Sequence, residues 1–497
     1  MLSVLANDLP ALQVVVPLVS APLCLILARW PRIVWLLCLA ASWTSLAIAI
    51  ELLDQVLSGG PISYAMGGWA APWGIEYRID AVNAYVILIV TGIASVVMPY
   101  ANQSVAKEIP ADRVPLFYAL LMLCLTGLLG MTITGDAFNV FVFLEISSLS
   151  MYGLISMGRD RRALTSAFQY LVMGTIGGTF ILVGIGFLYV VTGTLNMADL
   201  AMRLPEVTQL RTLHTGFAFL VVGIGLKLAM FPLHLWLPNA YAYAPSTATA
   251  FIAATATKVA VYALLRFVFT VIGPVIAYQD LPFGEIAKVL AVLGLVTGSF
   301  VAIFQENVKR MLAYSSVAQI GYILLGIGLA TVMGLTASML HLFNHALIKG
   351  ALFMAVGCLF YRTRSVRLDD LRGIGRKMPW SFGAFVIAGL SLIGVPLTAG
   401  FVSKWYLVQA SLEVGQWPLA VLVLGGSLLA IIYIWRVVEI AWFGSPSTRA
   451  AEATEAPLGL LIPTWILVLA NLYFGTHTGL TVGVANLAAR TLAEGLR

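Results

Sequence analysis

The chain has 497 residues, of which 60% are apolar and 10% are charged. A soluble domain carries about 25% charged residues, so this composition cannot cover an aqueous surface. It excludes a soluble enzyme, a nucleic-acid-binding protein and a disordered regulator. The net charge of +6 therefore indicates an orientation in a membrane rather than an acidic soluble partner.

Long apolar runs, separated by turns and charged clusters, predict an all-α polytopic membrane protein with about fourteen transmembrane helices. We expect no soluble domain. We also expect no signal peptide, because the first basic residue, Arg29, follows the first apolar run. The predicted spans are 10–28, 33–53, 80–101, 115–133, 137–157, 164–192, 214–238, 247–272, 286–305, 313–333, 335–360, 381–409, 416–443 and 458–478.

The basic residues are distributed unequally between the connections of these spans. When the connections are assigned to alternate sides, more than half of the 28 basic residues fall on one side, among them Arg159, Arg161 and Arg162. Basic loops mark the cytoplasmic side of a membrane protein. We therefore expect a multi-pass protein of the cell inner (plasma) membrane with both termini on the outer side.

Two predicted spans contain helix breakers near their middle. Span seven carries Pro232 and Pro238, and span twelve carries Gly394 and Pro396. Such breaks persist in lipid only where protein or water satisfies the freed backbone groups. Breaks five spans apart predict two inverted five-helix repeats, although proline kinks also occur without repeats. The expected organisation is helices 1–3 in 1–110, a first repeat in 111–272, a second repeat in 286–443, and a last helix with a short tail in 444–497.

Charged residues deep in the spans are the main functional signal. A charge at the centre of the bilayer costs about 2.5–3.5 kcal/mol. One acid cannot pair with four lysines, so most of these lysines require water, polar neighbours or deprotonation. A buried lysine poised between its charged and neutral forms can take up and release protons. The five residues are Glu145, Lys227, Lys258, Lys349 and Lys404.

Span eleven carries a regular titratable pattern. His341, His345 and Lys349 recur every four residues and share one helix face. They cover about 12 Å of helix, and histidine titrates near neutral pH. With water between its members, such a face is suited to conduct protons. The alternative is a polar face that packs against neighbouring helices.

The sequence predicts neither a metal site nor a cofactor. His341 and His345 have the spacing of a zinc pair, but no third ligand lies nearby in the sequence and the glutamate of H-E-x-x-H is missing. Two histidines on one helix face also cannot bind a haem from opposite sides. The cysteines form no C-x-x-C pair and are expected to be buried. They are Cys24, Cys38, Cys124 and Cys358.

Weaker candidates flank this set. His234 follows the break in span seven and is an auxiliary candidate that would link Lys227 to the cytoplasmic surface. Arg266 lies eight residues after Lys258, near the outer end of span eight, where we expect its side chain to snorkel. A polar stripe on span ten either holds water or forms hydrogen bonds between helices. Its members are Ser315, Ser316, Gln319 and Tyr322.

The segments around these residues carry a resemblance to a known family. They are Phe143–Ser148, Lys227–Pro238, Ala244–Lys258, Lys309–Ser316, His341–Lys349 and Gly394–Lys404. In these segments the chain resembles the proton-conducting antiporter-like subunits, which occur in multi-subunit sodium/proton antiporters, the membrane arm of respiratory complex I and membrane-bound hydrogenases. Lys404, where one complex I class has glutamate, and a chain that ends soon after the last span most resemble the D-type subunit of the Mrp-type antiporters.

The resemblance implies a division of roles. Glu145 would pair with Lys227 and modulate its proton affinity. Lys258, with the face formed by His341, His345 and Lys349, would connect two half-channels. Lys404 would be the terminal proton site. The implied partners are other membrane subunits of the same hetero-oligomeric complex, protons, Na⁺ and the lipid bilayer, without nucleic acid.

The leading hypothesis is a proton-translocating subunit of a multi-subunit monovalent cation (Na⁺)/proton antiporter. The alternative is a proton-pumping membrane-arm subunit of a respiratory NADH:quinone oxidoreductase or a membrane-bound hydrogenase, so membership of an enzyme complex stays open. A third hypothesis is a membrane scaffold whose lysines only pack. One departure from the family concerns Asn239, Tyr241 and Tyr243, where relatives often carry an acid followed by histidine or glutamate. This departure leaves open how protons reach the path from the cytoplasm.

Overall fold

The computed structural model describes residues 8–494. Its N-terminal half contains α1 (Leu9–Ile26), α2 (Pro31–Gly59), α3 (Ala81–Glu108), α4 (Val114–Ile133), α5 (Ala137–Ser156), α6 (Arg162–Thr192), α7 (Met197–Arg203), α8 (Leu210–Leu228), α9 (Leu237–Tyr243) and α10 (Ser246–Leu265). Its C-terminal half contains α11 (Phe283–Ile303), α12 (Val308–Gly328), α13 (Val332–Thr363), α14 (Pro379–Ile393), α15 (Ala399–Glu413), α16 (Trp417–Val438), α17 (Thr448–Ala451), α18 (Leu458–Thr476) and α19 (Gly479–Ala493).

Within residues 8–494, twelve helices are long and apolar enough to cross a membrane. The other two predicted spans are the interrupted ones, which the structure divides into α8 with α9 and α14 with α15. Counting each divided pair as one span gives the fourteen spans of the sequence analysis. The prediction of an all-α polytopic membrane protein is therefore confirmed. The inverted relation between 111–272 and 286–443 stays a prediction.

The breaks occur where the sequence places them, and local contacts satisfy part of the freed backbone. Helix α8 ends at Leu228, and Ala229 adopts a left-handed conformation with φ of 58°. The indole nitrogen of Trp236 donates to the carbonyl of Leu226 at 2.9 Å. Gly394, with φ of 92°, ends α14, a conformation that glycine adopts without steric cost.

Helices α10, α12 and α13 form the centre of the bundle. In each, 94% of the most apolar window is buried, whereas the same share is 39% in α1, α2 and α6. The outer helices therefore present apolar side chains to the lipid, and the central three are enclosed by protein. The predicted proton face on α13 lies in the best-protected part of the fold.

The two ends of the bundle differ in charge. On one end, Arg159 Nε donates to the carbonyl of Glu108 at 3.1 Å and Arg364 donates to the carbonyl of Lys107 at 3.2 Å. We call this end, which also carries Lys309, the basic side. The opposite side carries Asp80, the N-cap of α3, whose carboxylate accepts from the amides of Val82 and Asn83.

Two elements on the opposite side were not anticipated. An antiparallel hairpin pairs β1 (Ile62–Ala65) with β2 (Glu76–Ile79) in the long connection after α2. The segment expected to be a short tail forms α19, which packs on α3 and α13. Asn486 of α19 donates to Thr336 at 3.4 Å.

Candidate functional site

The first buried group joins α5 and α8. Lys227 Nζ donates to Ser148 Oγ at 2.8 Å and lies 3.5 Å from Glu145 Oε1. The Lys227 side chain is 5% exposed and that of Glu145 is 25% exposed. The predicted acid–base pair is thus adjacent, and the hydroxyl of Ser148 is the nearer partner of the ammonium group. Since Lys227 lies in the last turn of α8, the helix dipole also favours its charge.

Lys258 occupies the middle of α10 and is completely enclosed. Its Nζ donates to the carbonyl of Ala253 at 2.5 Å and contacts Thr257 Oγ1 at 3.4 Å. It forms no ion pair with any carboxylate in the described chain. A charge on Lys258 is therefore stabilised by neutral oxygens alone.

His341 and His345 follow one another on α13. The ring of His341 is held between Gln319 Oε1, 2.9 Å from Nε2, and Ser403 Oγ, 2.8 Å from Nδ1. The two imidazole rings stack with their centres 6.0 Å apart and an interplanar angle of 14°. Neither ring nitrogen of His345 has a hydrogen-bond partner within residues 8–494. Both nitrogens of His345 are thus available to exchange a proton.

Lys349 completes the α13 face. Its Nζ donates to the carbonyl of Leu312 at 2.7 Å and to Ser315 Oγ on α12. Lys349 is fully buried and, like Lys258, is bound by neutral oxygens. The sequence placed the three α13 groups on one face, and the structure places that face against α12 and α15.

Lys404, on α15, lies at the second helix break. Its Nζ donates to the carbonyls of Leu392 and Ile393, both at 2.9 Å, and to Ser427 Oγ at 3.0 Å. The two carbonyls belong to the last turn of α14, so the break supplies the acceptors for the ammonium group. The C-terminal end of a helix carries partial negative charge, which favours a cation there.

The polar stripe of α12 connects these groups. Ser315 accepts from Lys349, Gln319 contacts His341, and the ring of Tyr322 lies beside Lys404. The sequence left open whether this stripe holds water or bonds to other helices. In the structure these three side chains contact titratable residues on other helices, whereas Ser316 donates to the carbonyl of Leu312 in its own helix.

The two weaker candidates, His234 and Arg266, are both buried. His234 is buried, and its ring stacks on Phe231 with the ring centres 5.4 Å apart. No hydrogen bond links His234 to Lys227 in the described part of the chain. The expectation that Arg266 snorkels is wrong, because its guanidinium is buried and pairs with Asp80. The arginine finds this partner at the start of α3, which no local pattern around 266 reveals.

Several buried charged residues were not named as candidates by the sequence analysis, and two of them, Glu108 and Lys309, lie close together on the basic side. Glu108 is 7% exposed and Lys309 is 3% exposed. Lys309 belongs to one of the family-like segments, and Glu108 lies two residues before Pro110, beyond the predicted span 80–101. Those positions were the available signals, but burial of both depends on the long-range packing of α3 against α10.

The described residues contain no cluster of three or more His, Cys, Asp or Glu side chains that could hold a metal ion. The four cysteines are buried, as expected, and none forms a disulfide. Cys24 and Cys38 lie with their sulfur atoms 3.3 Å apart at the contact of α1 and α2. The titratable residues on α5, α8, α10, α13 and α15 are the chemically distinctive feature of the described bundle.

Comparison with known proteins identifies similar chains. The family model described as NADH:quinone oxidoreductase/Mrp antiporter, TM, matches residues 134–430. The N-type subunit of NADH-quinone oxidoreductase from Desulforudis audaxviator is 41% identical over 94% of this chain and 95% of its own length. The D-type subunit of the Na(+)/H(+) antiporter from Bacillus subtilis is 31% identical over 98% of this chain and 97% of its own length. One polypeptide of the Mrp complex from a Dietzia species superposes with a TM-score of 0.89 and 26% identity, covering 99% of this chain and 98% of its own length.

Proposed function

Because this chain belongs to the NADH:quinone oxidoreductase/Mrp antiporter transmembrane family, we propose that it is the proton-translocating membrane subunit of a multi-subunit monovalent cation (Na⁺)/proton antiporter. One observation carries the proposal: titratable side chains are buried in a row, and neutral oxygens hold most of them. We call this set the titratable row; it comprises Glu145, which is 25% exposed, and the buried residues Lys227, Lys258, Lys349, His345, His341 and Lys404. A purely structural bundle gains nothing from lysines that apolar residues of similar volume could replace.

Protons move along this row by exchange between neighbours. Lys258 is close enough to His345 and Lys349 to act on both electrostatically. A proton that arrives at Lys258 therefore repels charge from the α13 face. Glu145 modulates Lys227 at one end, and Lys404 is the terminal site at the other. The same exchange would couple to Na⁺ movement in the complete complex.

The orientation and organisation of the chain are part of the proposal. The concentration of arginine and lysine on the basic side supports a cytoplasmic location for that side. The protein would then lie in the cell inner membrane with both termini outside. The two divided spans support two inverted five-helix repeats over 111–272 and 286–443. Other membrane subunits of one hetero-oligomeric complex would be its partners, as in the Mrp complex it resembles.

The second candidate is a proton-pumping subunit in the membrane arm of a redox complex. The specific observation that favours it is the 41% identity to the N-type subunit of an NADH-quinone oxidoreductase. Both candidates use the same titratable row, and they differ in what drives proton movement. Proton movement would be coupled to Na⁺ exchange in the first case and driven by electron transfer, in a quinone reductase or a hydrogenase, in the second.

The experiment uses inside-out membrane vesicles that contain the assembled complex. Addition of Na⁺ to vesicles with an imposed pH gradient should release protons, and Lys404→Met and Glu145→Gln should abolish the release without loss of assembly. Lys377→Met is the matched control, since Lys377 is exposed on the basic side. Proton movement that requires an electron donor and does not respond to added Na⁺ would favour the second candidate. Normal flux in both site variants would overturn the proposal.

A further inference from the structure

We propose that the titratable row takes up protons through a cavity on the basic side, between Glu108 at the end of α3 and Lys309 at the start of α12. This inference rests on the proposed function and assigns the mouth of the path. The cavity has a volume of about 230 Å³, which accommodates several water molecules. Its polar rim is formed by Arg159, Asp160 and Arg364.

A buried acid, Glu108, and a buried base, Lys309, both line this cavity. Glu108 accepts from the amide of Ser246 at 3.0 Å and from Ser104 Oγ at 2.9 Å. Lys309 Nζ donates to Ser246 Oγ and to the carbonyl of Ala244, both at 3.2 Å. One serine thus bridges a buried carboxylate and a buried ammonium group that are not directly paired. Both groups line the cavity, so both can exchange protons with water in it.

A purely structural role for Glu108 is the alternative. Ser246 is the first residue of α10, and a carboxylate at a helix N-terminus stabilises the helix. That role explains the contact between Glu108 and Ser246. It explains neither why Lys309 is buried beside the same serine nor why both charged groups line a cavity that reaches the basic surface.

The floor of the cavity is close to the titratable row. Lys349 binds the carbonyl of Leu312 and the hydroxyl of Ser315, three and six residues after Lys309 on α12. At 1.5 Å per residue these positions lie about 4.5 and 9 Å along the helix axis from Lys309. A proton held at Lys309 is therefore within two helical turns of the groups that bind Lys349.

A second route from the basic side would pass α9 and His234 toward Lys227, and it lacks a buried acid and base. After His234 the chain enters α9, which carries Asn239 and Tyr241. Neither side chain titrates near neutral pH. Asn239 donates to Gln169 at 3.2 Å, and the hydroxyl of Tyr241 is buried without a hydrogen-bond partner in residues 8–494. The acid and base that this mouth lacks are present at the Glu108–Lys309 cavity.

The test blocks the cavity reversibly in the assembled complex. Ala242 lines the cavity, so Ala242→Cys places a thiol in its wall, and all native cysteines are buried. The membrane-impermeant anionic reagent 2-sulfonatoethyl methanethiosulfonate converts this thiol to a mixed disulfide and releases methanesulfinate; dithiothreitol reverses the reaction. The matched control is Ala451→Cys, exposed on the basic side outside the cavity. A second pair of variants is Lys309→Met and Lys107→Met, because Lys107 is exposed near the same rim.

We expect the reagent to lower Na⁺-driven proton flux at least about tenfold in Ala242→Cys, with recovery after dithiothreitol and no change in Ala451→Cys. Lys309→Met should lose flux to a similar degree, and Lys107→Met should retain it. Complete labelling of Ala242→Cys without loss of flux, together with normal flux in Lys309→Met, would overturn the inference. If Lys404→Met still abolished flux in that case, the proposed function would stand and only the position of the mouth would be rejected.

Discussion

The ammonium nitrogen of Lys404 lies 4.7 Å from the centre of the Tyr322 ring. Three neutral oxygens already accept hydrogen bonds from its three N–H groups. The ring face therefore adds the negative electrostatic surface that a carboxylate would otherwise provide. A cation over an aromatic face gains about 0.5–2 kcal/mol. Tyr322 is thus a positioning residue that stabilises the charged form of Lys404, the proposed terminal proton site.

Replacement of Tyr322 separates the ring from its hydroxyl. Tyr322→Leu removes the ring and should lower Na⁺-driven proton flux roughly 2- to 30-fold, the factor that corresponds to 0.5–2 kcal/mol. Tyr322→Phe keeps the ring and loses the hydrogen bond to the carbonyl of Val423, so its flux should stay near that of the wild type. An equal loss in both variants would show that the hydroxyl, not the ring, is required.

Ser148 is the nearer of the two hydrogen-bond partners of Lys227. Its hydroxyl is 0.7 Å closer to Lys227 Nζ than the Glu145 oxygen is, at 2.8 against 3.5 Å. Hydrogen bonds to charged groups contribute about 1.5–3 kcal/mol. Ser148→Ala removes this bond and should therefore lower proton flux by roughly tenfold or more. The matched control is Ser147→Ala, since Ser147 donates to the carbonyl of Leu144 in its own helix. Equal flux in the two variants would contradict this role.

Hydropathy predicted the fold well because the physics of lipid leaves few choices. A chain in the bilayer must satisfy its backbone internally, so apolar runs become helices, and the prolines of the two divided spans show where the helices stop. The face of His341, His345 and Lys349 followed from helical periodicity alone. Sequence reasoning could thus name the titratable row and its helices.

Partners across the bundle could not be predicted in this way. Asp80 and Arg266 are 186 positions apart, and Gln319 reaches His341 from another helix. Burial of Lys309 depends on the packing of α3, α10 and α12. Such contacts arise from the tertiary arrangement of helices, which a one-dimensional pattern does not contain, and the error at Arg266 has this origin.

The position of Glu145 depends on a glycine of α6. A Cβ atom added at Gly178 would overlap Oε1 of Glu145, whereas one added at Gly186 of the same helix meets nothing within 4 Å. Gly178→Ala should therefore shift the carboxylate at the end of the Glu145 side chain and, if its contact with Lys227 is required, lower flux on the order of 10- to 100-fold. Gly186→Ala should keep full flux, and alanine at a helical glycine also favours folding by about 1 kcal/mol. Normal flux in Gly178→Ala would show that Glu145 tolerates the displacement.

The ion pair of Asp80 and Arg266 should contribute to stability in a pH-dependent manner. Burial alone raises the pKa of Asp80, but the charge and hydrogen bond of Arg266 and the amides of Asn83 and Val82 outweigh it and hold this pKa below its usual value. A carboxylate whose folded-state pKa is lowered stabilises the fold above the unfolded-state pKa, about 3.9. This contribution is lost as the pH falls through the folded-state value.

Asp80→Asn removes the negative partner and leaves the Arg266 guanidinium buried and without its carboxylate. Breaking a buried pair in this way costs about 3–5 kcal/mol. We expect a lower unfolding temperature of the solubilised complex at pH 7 and a weaker further loss between pH 5 and pH 3 than in the wild type. Asp112→Asn is the control, because Asp112 is exposed on the basic side and should leave both the unfolding temperature and its pH dependence unchanged. If Asp80→Asn unfolded at the wild-type temperature, the pair would contribute no net stability and Arg266 would have found other acceptors, such as the hydroxyl of Tyr262 that it already contacts at 3.1 Å.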